Sequence, residues 1–269
     1  MKKLIAFLLV LVMMLCVAAC APTETPGADN NPSSGSSTPS SSAGTSSGDN
    51  TDITGVMTHA QYLAAGENDP VEIEAYVQAT QSWYNGAIVI YAQDKSYGGY
   101  FGYNIPCSEE DAAKLVPGVK INIKGYKTFY KGMPEIASDG AVLTILEDED
   151  TFVAYAEILT EDLGKQELVN HAGKFAAFQG LTVKAITFKN DEPGDDIYVD
   201  FTLGDATYSF CVERYLTDPE TDIYKKFVDG KINVGDIVDV YGFVYWYDAD
   251  EDASGDGINT HITKITKVG

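Results

Sequence analysis

The sequence predicts a mainly β chain with two tandem five-stranded units, and three observations lead to this prediction. The segment from Leu115 to Tyr126 has a second copy from Ile232 to Phe243, 117 residues later. Each copy begins with a turn glycine, continues as an alternating strand and ends with a second glycine where the strand bends. The 17 tyrosines also favour strands, in which aromatic residues are enriched. The repeat indicates one architecture built twice.

The first unit, over residues 57–146, shows the two-residue period of half-buried strands. Val71, Ile73 and Ala75 alternate with polar side chains in its first strand. Ser108 and the acids after it predict a short helix, because a serine N-cap and early carboxylates stabilise a helix start. The predicted elements are a helix over 59–65, strands over 71–78, 88–93 and 100–104, a helix over 108–115, and strands over 120–130 and 135–145.

The second unit, over residues 147–269 with its connector, repeats this plan with longer insertions. A hairpin across Gly204 and Asp205 joins two of its strands, because a glycine between alternating runs is a turn signal. The predicted elements are a helix over 165–171, strands over 173–183, 197–203 and 206–212, a helix over 218–228, and strands over 237–244 and 258–265.

The order strand, strand, strand, helix, strand, strand resembles the OB-fold, a small five-stranded Greek-key barrel. Three short motifs carry the resemblance to OB domains of tRNA synthetases: Tyr91-Ala-Gln-Asp94, Gly98-Gly99-Tyr100-Phe101, and Pro117-Gly118 through Gly125. The whole chain resembles surface lipoproteins of Gram-positive bacteria that carry two tandem OB-like domains. This resemblance implies two OB-like barrels, each with short helices, after a disordered N-terminal tether.

Residues 1–20 predict a targeting segment, in which Lys2 and Lys3 precede an apolar run too short to span a membrane. The segment ends in Ala18-Ala19-Cys20 and resembles a bacterial lipoprotein signal peptide, which implies lipidation of Cys20. An ordinary cleaved signal is the alternative. Residues 21–56 are rich in Ser, Gly and Pro and predict a disordered tether. The expected location is extracytoplasmic, at the membrane surface.

Charge and motifs argue against several function classes. The net charge of −22 disfavours generic nucleic-acid binding, which depends on neutralising phosphates. The sequence contains no Gly-x-Ser-x-Gly, His-Glu-x-x-His or phosphate-cradling glycine loop. We therefore expect no catalytic residues and no required cofactor. Cys107 and Cys211 are expected to be free thiols, although an oxidising compartment permits a disulfide.

Aromatic residues mark the predicted ligand-binding face. OB domains generally bind ligands across strands two and three and the adjoining loops. Trp83, Tyr84, Tyr91 and Tyr100 fall in these places, and such rings stack on bases, sugars or apolar peptide side chains. The alternative is that most of these rings are core residues or cross-strand pairs.

A basic strip is the second candidate feature. Five lysines and no acid occur between residues 114 and 131. Strand alternation directs Lys120, Lys124 and Tyr126 outward, beside the aromatic set. An anionic polymer such as single-stranded nucleic acid would suit this strip. Lysines that discourage edge pairing are the alternative.

A run of aspartates near the C-terminus resembles a calcium-binding loop of the EF-hand type. The turn glycine and the bidentate glutamate of that loop are replaced by Ala253 and Asn259. A weak calcium site is the hypothesis, and a solvated acidic hairpin tip is the alternative. The candidate ligands are Asp248, Asp250, Asp252 and Asp256.

The sequence thus predicts a membrane-anchored, non-catalytic binding or adaptor lipoprotein. Its expected ligand is an oligosaccharide, a peptide or a partner protein, held by OB-type faces. The alternative is capture of single-stranded nucleic acid or another polyanion by the first unit.

Overall fold

In a computed structural model, the chain is described over residues 55–147, 150–248 and 257–268, and it is mainly β over these residues. The helices are α1 (His59–Ala64), α2 (Glu109–Ala112) and α3 (Asp222–Val228), with 3₁₀ turns at Thr160–Asp162, Gln166–His171 and Lys189–Asp191. The strands are β1 (Pro70–Thr80), β2 (Ala87–Gln93), β3 (Gly99–Pro106), β4 (Lys120–Tyr130), β5 (Met133–Ile136), β6 (Val142–Ile145), β7 (Glu157–Ile158), β8 (Phe175–Phe188), β9 (Ile197–Leu203), β10 (Ala206–Val212), β11 (Ile237–Trp246) and β12 (Ile258–Lys267).

The first barrel closes because β1 pairs with two neighbours, β2 and β4, both antiparallel. β2 pairs antiparallel with β3, and β3 pairs in parallel with β5 at Gly102 and Ile136. β5 returns to β4, so the strand order runs β1-β2-β3-β5-β4 and back to β1. This closed five-stranded arrangement confirms the predicted OB-like barrel.

The second barrel repeats this connectivity. β8 pairs with both β9 and β11, and β10 pairs in parallel with β12 at Cys211 and His261. Its strand order therefore runs β8-β9-β10-β12-β11 and back to β8. Two short extra strands extend the barrel sheets, β6 alongside β4 and β7 alongside β8. The prediction of two tandem barrels is confirmed.

Several predicted elements differ from the structure. The fifth strand predicted over 135–145 is two strands, β5 and β6, which pair with opposite halves of β4. Gly140 lies in the turn between them with a φ of +69°. The helix predicted over 165–171 is a 3₁₀ turn. The helix predicted from Asp218 begins at Asp222, because Asp218 instead forms a turn that accepts the backbone N–H groups of Glu220 and Thr221.

The two copies of the sequence repeat adopt matching backbone conformations. Gly118 has a φ of +95° and its counterpart Gly235 a φ of +91°, the left-handed region that glycine enters without steric cost. Each lies two residues before the strand that closes its barrel, β4 or β11. The repeat is therefore a signature of barrel construction.

One apolar cluster joins the two barrels at their junction, beside a separate core inside the first barrel. Val89, Phe101 and Met133 of the first barrel are buried in one cluster with Phe243 and Trp246 of the second. The backbone N–H of Trp246 donates to the sulfur of Met133 at 3.3 Å. Because β2, β3 and β5 supply these contacts, one face of the first barrel is covered by the second.

Three predicted features lie outside the described residues. They are the signal segment ending at Cys20, almost all of the tether, and the candidate calcium ligands Asp250, Asp252 and Asp256. Over the residues that the structure describes, no helix is long and apolar enough to cross a membrane.

Candidate ligand-binding groove between the barrels

Tyr91 and Tyr100, two predicted ligand-binding residues, lie inside the folded unit. Tyr91 is fully buried, and its ring centroid lies 4.7 Å from that of Phe243 in the second barrel. Tyr100 is 2% exposed and packs edge-on against Tyr62 of α1 at 5.1 Å. The second barrel covers the β2–β3 face on which OB domains generally bind ligands. Neither ring therefore lines an open groove.

The loop between β1 and β2 carries Trp83 and Tyr84. Asn85 and Gly86 have φ values of +50° and +83°, the conformation of a two-residue hairpin turn for which Asn-Gly is preferred. Tyr84 follows Trp83 directly and is 80% exposed at this turn. Trp83 is half-buried, and its indole N–H donates to the carbonyl of Cys107 at 3.0 Å. Trp83 thus fixes the loop, and Tyr84 presents its ring to solvent.

Tyr84 lines a groove where the two barrels meet. The backbone N–H of Ser82 donates to the carbonyl of Tyr215 at 2.8 Å, which ties the loop to the segment after β10. The groove has a volume of about 260 Å³ over a floor formed by Ala87, Ile88 and Val89. We call it the junction groove, and its walls are Gln81, Ser82, Tyr84, Tyr103, Asn104 and Tyr215. A second hollow of about 450 Å³ shares Ser82 and Tyr215 and includes Trp83.

The junction groove offers flat rings and uncharged polar groups. Tyr84, Tyr103 and Tyr215 are 80%, 46% and 52% exposed, and none of the lining residues carries a charge. The side-chain amide of Gln81 donates to the hydroxyl of Tyr91 at 3.1 Å, which anchors one wall to the buried junction. The guanidinium carbon of Arg214 lies 4.9 Å from the centroid of the Tyr215 ring. The groove is thus suited to stacking and hydrogen bonding.

The predicted basic strip faces carboxylates on the neighbouring strand. The ammonium of Lys120 lies 3.3 Å from the carboxylate of Glu74, and that of Lys124 lies 3.2 Å from Glu72. Tyr126 is 48% exposed and lines a hollow of about 620 Å³ together with Lys124 and Glu72. The sequence could not show this pairing, because β1 and β4 are distant along the chain. The strip and the junction groove are separate sets of residues.

Lys127, a further lysine of this stretch, has a structural position. It is 1% exposed, and its ammonium donates to the carbonyls of Tyr62, Leu63 and Ala65 at 2.8, 3.0 and 2.8 Å. These carbonyls lie at the C-terminal end of α1, where the helix supplies few donors, and that of Tyr62 also accepts the backbone N–H of Ala65 at 3.3 Å. Lys127 therefore joins α1 to β4.

The three histidines lie in separate elements of the structure: His59 in α1, His171 at the end of a 3₁₀ turn and His261 in β12. Burial is the largest cause that lowers the pKa of His59, His171 and His261, and for His261 the pKa falls to about 3. Cys107 and Cys211 are free, and burial raises the pKa of both thiols, which disfavours the nucleophilic thiolate. The absence of catalytic residues stays a prediction.

Few of the residues predicted to bind a metal ion lie in the part of the chain that the structure describes. In the described part of the chain, no three His, Cys, Asp or Glu side chains are close enough together to hold a metal ion. Of the candidate calcium ligands only Asp248 is described; it is 2% exposed, and its backbone N–H donates to the carbonyl of Lys131 at 2.8 Å. The calcium hypothesis stays a prediction.

Tyr215 and Asn104 are among the groove residues that were not predicted from the sequence. Asn104 lies within β3 with a φ of +49°, a left-handed conformation that asparagine tolerates better than most residues. Tyr215 follows Arg214 just after β10, outside any alternating pattern. A signal that would have indicated Tyr215 is the pair of large side chains, Arg214 and Tyr215, in a connecting segment.

Comparison with known proteins finds similarity only to solved structures. No family model and no curated protein matches it. Asparaginyl-tRNA synthetase from Pyrococcus horikoshii is 23% identical, with 39% of this chain and 21% of that chain covered and a TM-score of 0.29. A murine DNA-binding protein bound with double-stranded DNA is 13% identical, with 74% and 96% covered and a TM-score of 0.35. OBody AM1L10, bound to hen egg-white lysozyme, is 17% identical, with 43% and 91% covered and a TM-score of 0.29.

The chain spans only about a fifth of the length of the asparaginyl-tRNA synthetase it matches. Structural similarities this weak say nothing about the ligand or the activity of this chain. The ligand must therefore be argued from the groove itself.

Proposed function

We propose that the chain is a non-catalytic, lipid-anchored binding protein of the cell envelope, and that the junction groove holds a neutral oligosaccharide. One observation carries the choice of ligand. Three exposed tyrosine rings and the polar side chains of Gln81, Ser82 and Asn104 surround a single concavity without a charged lining residue.

Sugar rings match this lining in two ways. Their C–H faces pack on flat aromatic side chains, and their hydroxyl groups both donate and accept hydrogen bonds, as amides and hydroxyls require. Ligand sites commonly combine an apolar concave surface with a few placed polar groups. Here the floor of Ala87, Ile88 and Val89 supplies the apolar surface. The net charge of −22 also disfavours anionic glycans.

The position between the barrels supports a preformed site. The Ser82–Tyr215 hydrogen bond and the buried core hold the two sides of the groove together. A rigid site loses less freedom on binding than a mobile one, so a modest contact area can give useful affinity. The proposed anchor at Cys20 and the tether to residue 56 would place this site away from the membrane.

Binding of neutral oligosaccharides by the soluble chain lacking the signal segment tests the groove. A glycan array identifies a ligand, and calorimetry then compares Tyr84→Ala and Tyr215→Ala with Tyr126→Ala, an exposed ring outside the groove. Loss of one stacking ring should weaken binding by about 1–3 kcal/mol, roughly a tenfold to hundredfold loss. Tyr126→Ala should bind as the parent does. Absence of any glycan ligand, or equal losses in all three variants, would reject the assignment.

Incorporation of labelled fatty acid into the expressed precursor tests the anchor. Label should appear in the parent and disappear in Cys20→Ala, with the protein then released from the membrane fraction. Equal membrane retention of both proteins would contradict the proposed lipidation.

Single-stranded nucleic acid is the second candidate ligand. Exposed tyrosine rings stack on bases as well as on sugars, and the Arg214 cation lies on the Tyr215 ring. Salt separates the two candidates. Nucleic-acid affinity should fall steeply between about 50 and about 200 mM salt, whereas neutral glycan affinity should stay nearly constant. An oligonucleotide bound with that salt dependence, and lost in Tyr215→Ala, would favour this candidate.

A further inference from the structure

The strand β6 lies at the outer edge of the sheet of the first barrel. It pairs with β4 on one side, where Ile145 lies opposite Ile121 and Val142 opposite Lys124. In the described part of the chain, no strand pairs with its other side. A sheet edge of this kind presents backbone N–H and C=O groups that still need a hydrogen-bond partner, from water or from another chain. We call this unpaired side of the strand the β6 edge.

Leu143 and Ile145 are the residues whose backbone faces the β6 edge. In an antiparallel pair, residues bonded to the partner strand alternate with residues turned away from it. The backbone N–H of Leu146 donates to the carbonyl of Lys120 at 3.0 Å, so Leu146 and, two residues earlier, Thr144 are bonded to β4. The N–H and C=O groups of Leu143 and Ile145 therefore point away from β4, toward the side that no described strand covers.

A hollow of about 540 Å³ lies along the β6 edge. Its lining includes Leu143 and Ile145 of β6 and, from the end of β3, Pro106 and Cys107. Pro106 has no N–H group, and the N–H of Cys107 donates to the carbonyl of Gly86 at 3.0 Å. The end of β3 thus offers no donor to β6. The unpaired backbone groups of β6 border an open space instead of a neighbouring strand.

Acidic residues flank β6 on both sides along the chain. Asp139 precedes the strand and is exposed, and Glu147 follows it, is exposed and lines the hollow. Glu147 also begins a run of four acids that ends at Asp150. Lys114, the lysine among the lining residues, is already paired with two carboxylates of α2 at 3.1 and 3.0 Å. A segment lying along the β6 edge would therefore meet negative charge at both of its ends.

We propose that the β6 edge binds an extended peptide segment of a partner protein, with apolar residues at its centre and basic residues at its ends. Strand addition of this kind gains affinity from main-chain hydrogen bonds and specificity from side chains. Leu143 and Ile145 supply the main-chain groups, and Val142, which is 56% exposed, supplies apolar surface. Asp139 and Glu147 attract the basic ends. The edge shares no lining residue with the junction groove and does not depend on the ligand proposed there.

A second copy of this chain matches the β6 edge less well than a basic peptide does. Antiparallel pairing of two β6 strands would bring the acidic run that begins at Glu147 of one copy near Asp139 of the other. Like charges that face each other across a strand pair destabilise it. The strand is also only four residues long, and short edge strands are a common protection against self-pairing. A partner of opposite charge is therefore the better match.

Hydrogen exchange measured by NMR tests the proposal, with the chain lacking its signal segment and the basic peptide KKVTVTVKK. The amides of Leu143 and Ile145 should exchange rapidly in the free chain, and peptide at up to about 1 mM should slow both about tenfold or more. The amide of Thr144 is already bonded to β4 and should change much less. The same peptide with N-methyl groups on its five central residues keeps its charge but loses its N–H donors, so it should bind at least about tenfold more weakly.

Two protein variants test the contribution of charge. Glu147→Gln should weaken binding of KKVTVTVKK severalfold, whereas Glu161→Gln, at an exposed acid outside the hollow, should bind it as the parent does. Unchanged exchange of Leu143 and Ile145 with the peptide, equal binding of the N-methylated peptide, or unchanged affinity in Glu147→Gln would each overturn the proposal. A dimer of the free chain in which these two amides are already protected would also overturn it, because the edge would then belong to a second copy.

Discussion

The hydroxyl of Tyr91 lies 2.5 Å from Nδ1 of His261, and both side chains are buried between the barrels. The side-chain amide of Gln81 donates to the same hydroxyl at 3.1 Å. The hydroxyl that accepts from Gln81 still has its own hydrogen to donate, and a neutral His261 ring with an unprotonated Nδ1 is a suitable acceptor for it. Burial lowers the pKa of His261 to about 3, in agreement with that state. A neutral hydrogen-bond chain thus joins the groove wall to β12.

Tyr91→Phe should loosen the junction. The change leaves the Gln81 amide and His261 Nδ1 without their partner while keeping the ring in the core, so the free energy of unfolding should fall by about 1–3 kcal/mol. Urea denaturation followed by circular dichroism measures this loss. Tyr84→Phe, at an 80% exposed ring, is the control and should change stability by less than about 0.5 kcal/mol. Equal stability of the two variants would show that the hydrogen bonds of the Tyr91 hydroxyl contribute nothing to the free energy of unfolding.

The neutral state of His261 predicts a pH dependence. An unfolded histidine has a pKa near 6.5, whereas the folded value is about 3, so the unfolded state binds more protons between these values. Stability from this group is therefore complete above about pH 6.5 and is lost as pH falls toward the folded value. His261→Asn, whose side-chain oxygen can replace Nδ1 as acceptor, should lose about 2 kcal/mol less than the parent between about pH 7 and pH 4.5. Parallel acid-denaturation profiles would contradict this.

Gly99→Ala should disturb the contact between the barrels. An added Cβ would lie 2.6 Å from the carbonyl oxygen of Ala172 and 2.7 Å from the backbone nitrogen of Lys174, which cannot move as a side chain can. Overpacking of this kind costs about 1–3 kcal/mol, and thermal unfolding measures it. Gly66→Ala is the control, because its nearest neighbour is the Asp69 side chain at 3.3 Å. A Gly99→Ala protein as stable as this control would show that the junction adapts freely.

The barrels could be predicted because their strands and turns require residue patterns that are local in the sequence. A strand buried on one face needs alternation, and a turn at positive φ needs glycine, as at Gly118 and Gly235. The hairpin across Gly204 and Asp205 was predicted for the same reason. The break between β5 and β6 was missed because the run from 135 to 145 keeps strand-like residues on both sides of the turn at Gly140.

The sequence could not predict that the second barrel covers the β2–β3 face of the first. An aromatic residue that points out of a barrel shows the same alternation whether it meets a ligand or another domain, as Tyr91 does here. Gly99 was identified as part of an OB motif, yet its absent side chain also makes room for the segment around Gly173. Trp83 and Tyr84 were predicted because a loop gives large rings little structural use. Tyr215 reaches the same groove from a distant part of the chain, which periodicity cannot show.

Lys127→Met should destabilise the first barrel more than a surface lysine change. The variant keeps the buried stem but removes the ammonium donor from three carbonyls at the end of α1, so about 2–4 kcal/mol should be lost. Chemical denaturation is the measurement. Lys124→Met is the matched control on the same strand, because the Lys124 side chain is 60% exposed and its ion pair with Glu72 contributes little. Similar losses in the two variants would contradict a structural role for Lys127.

Glu135→Gln should stabilise the protein at alkaline pH. Burial raises the pKa of Glu135 to about 7 from an ordinary value of 4.5, so the folded state holds this proton more tightly than the unfolded state. The stability from the protonated group is present below 4.5 and is lost as pH rises through 7. The amide carries no such loss, and Glu135→Gln should gain about 2 kcal/mol over the parent near pH 8 and nothing near pH 4. Melting temperatures at the two pH values measure the gain, and Glu110→Gln should show none. A destabilised Glu135→Gln at both pH values would mean that the carboxyl has a stabilising partner in the free protein.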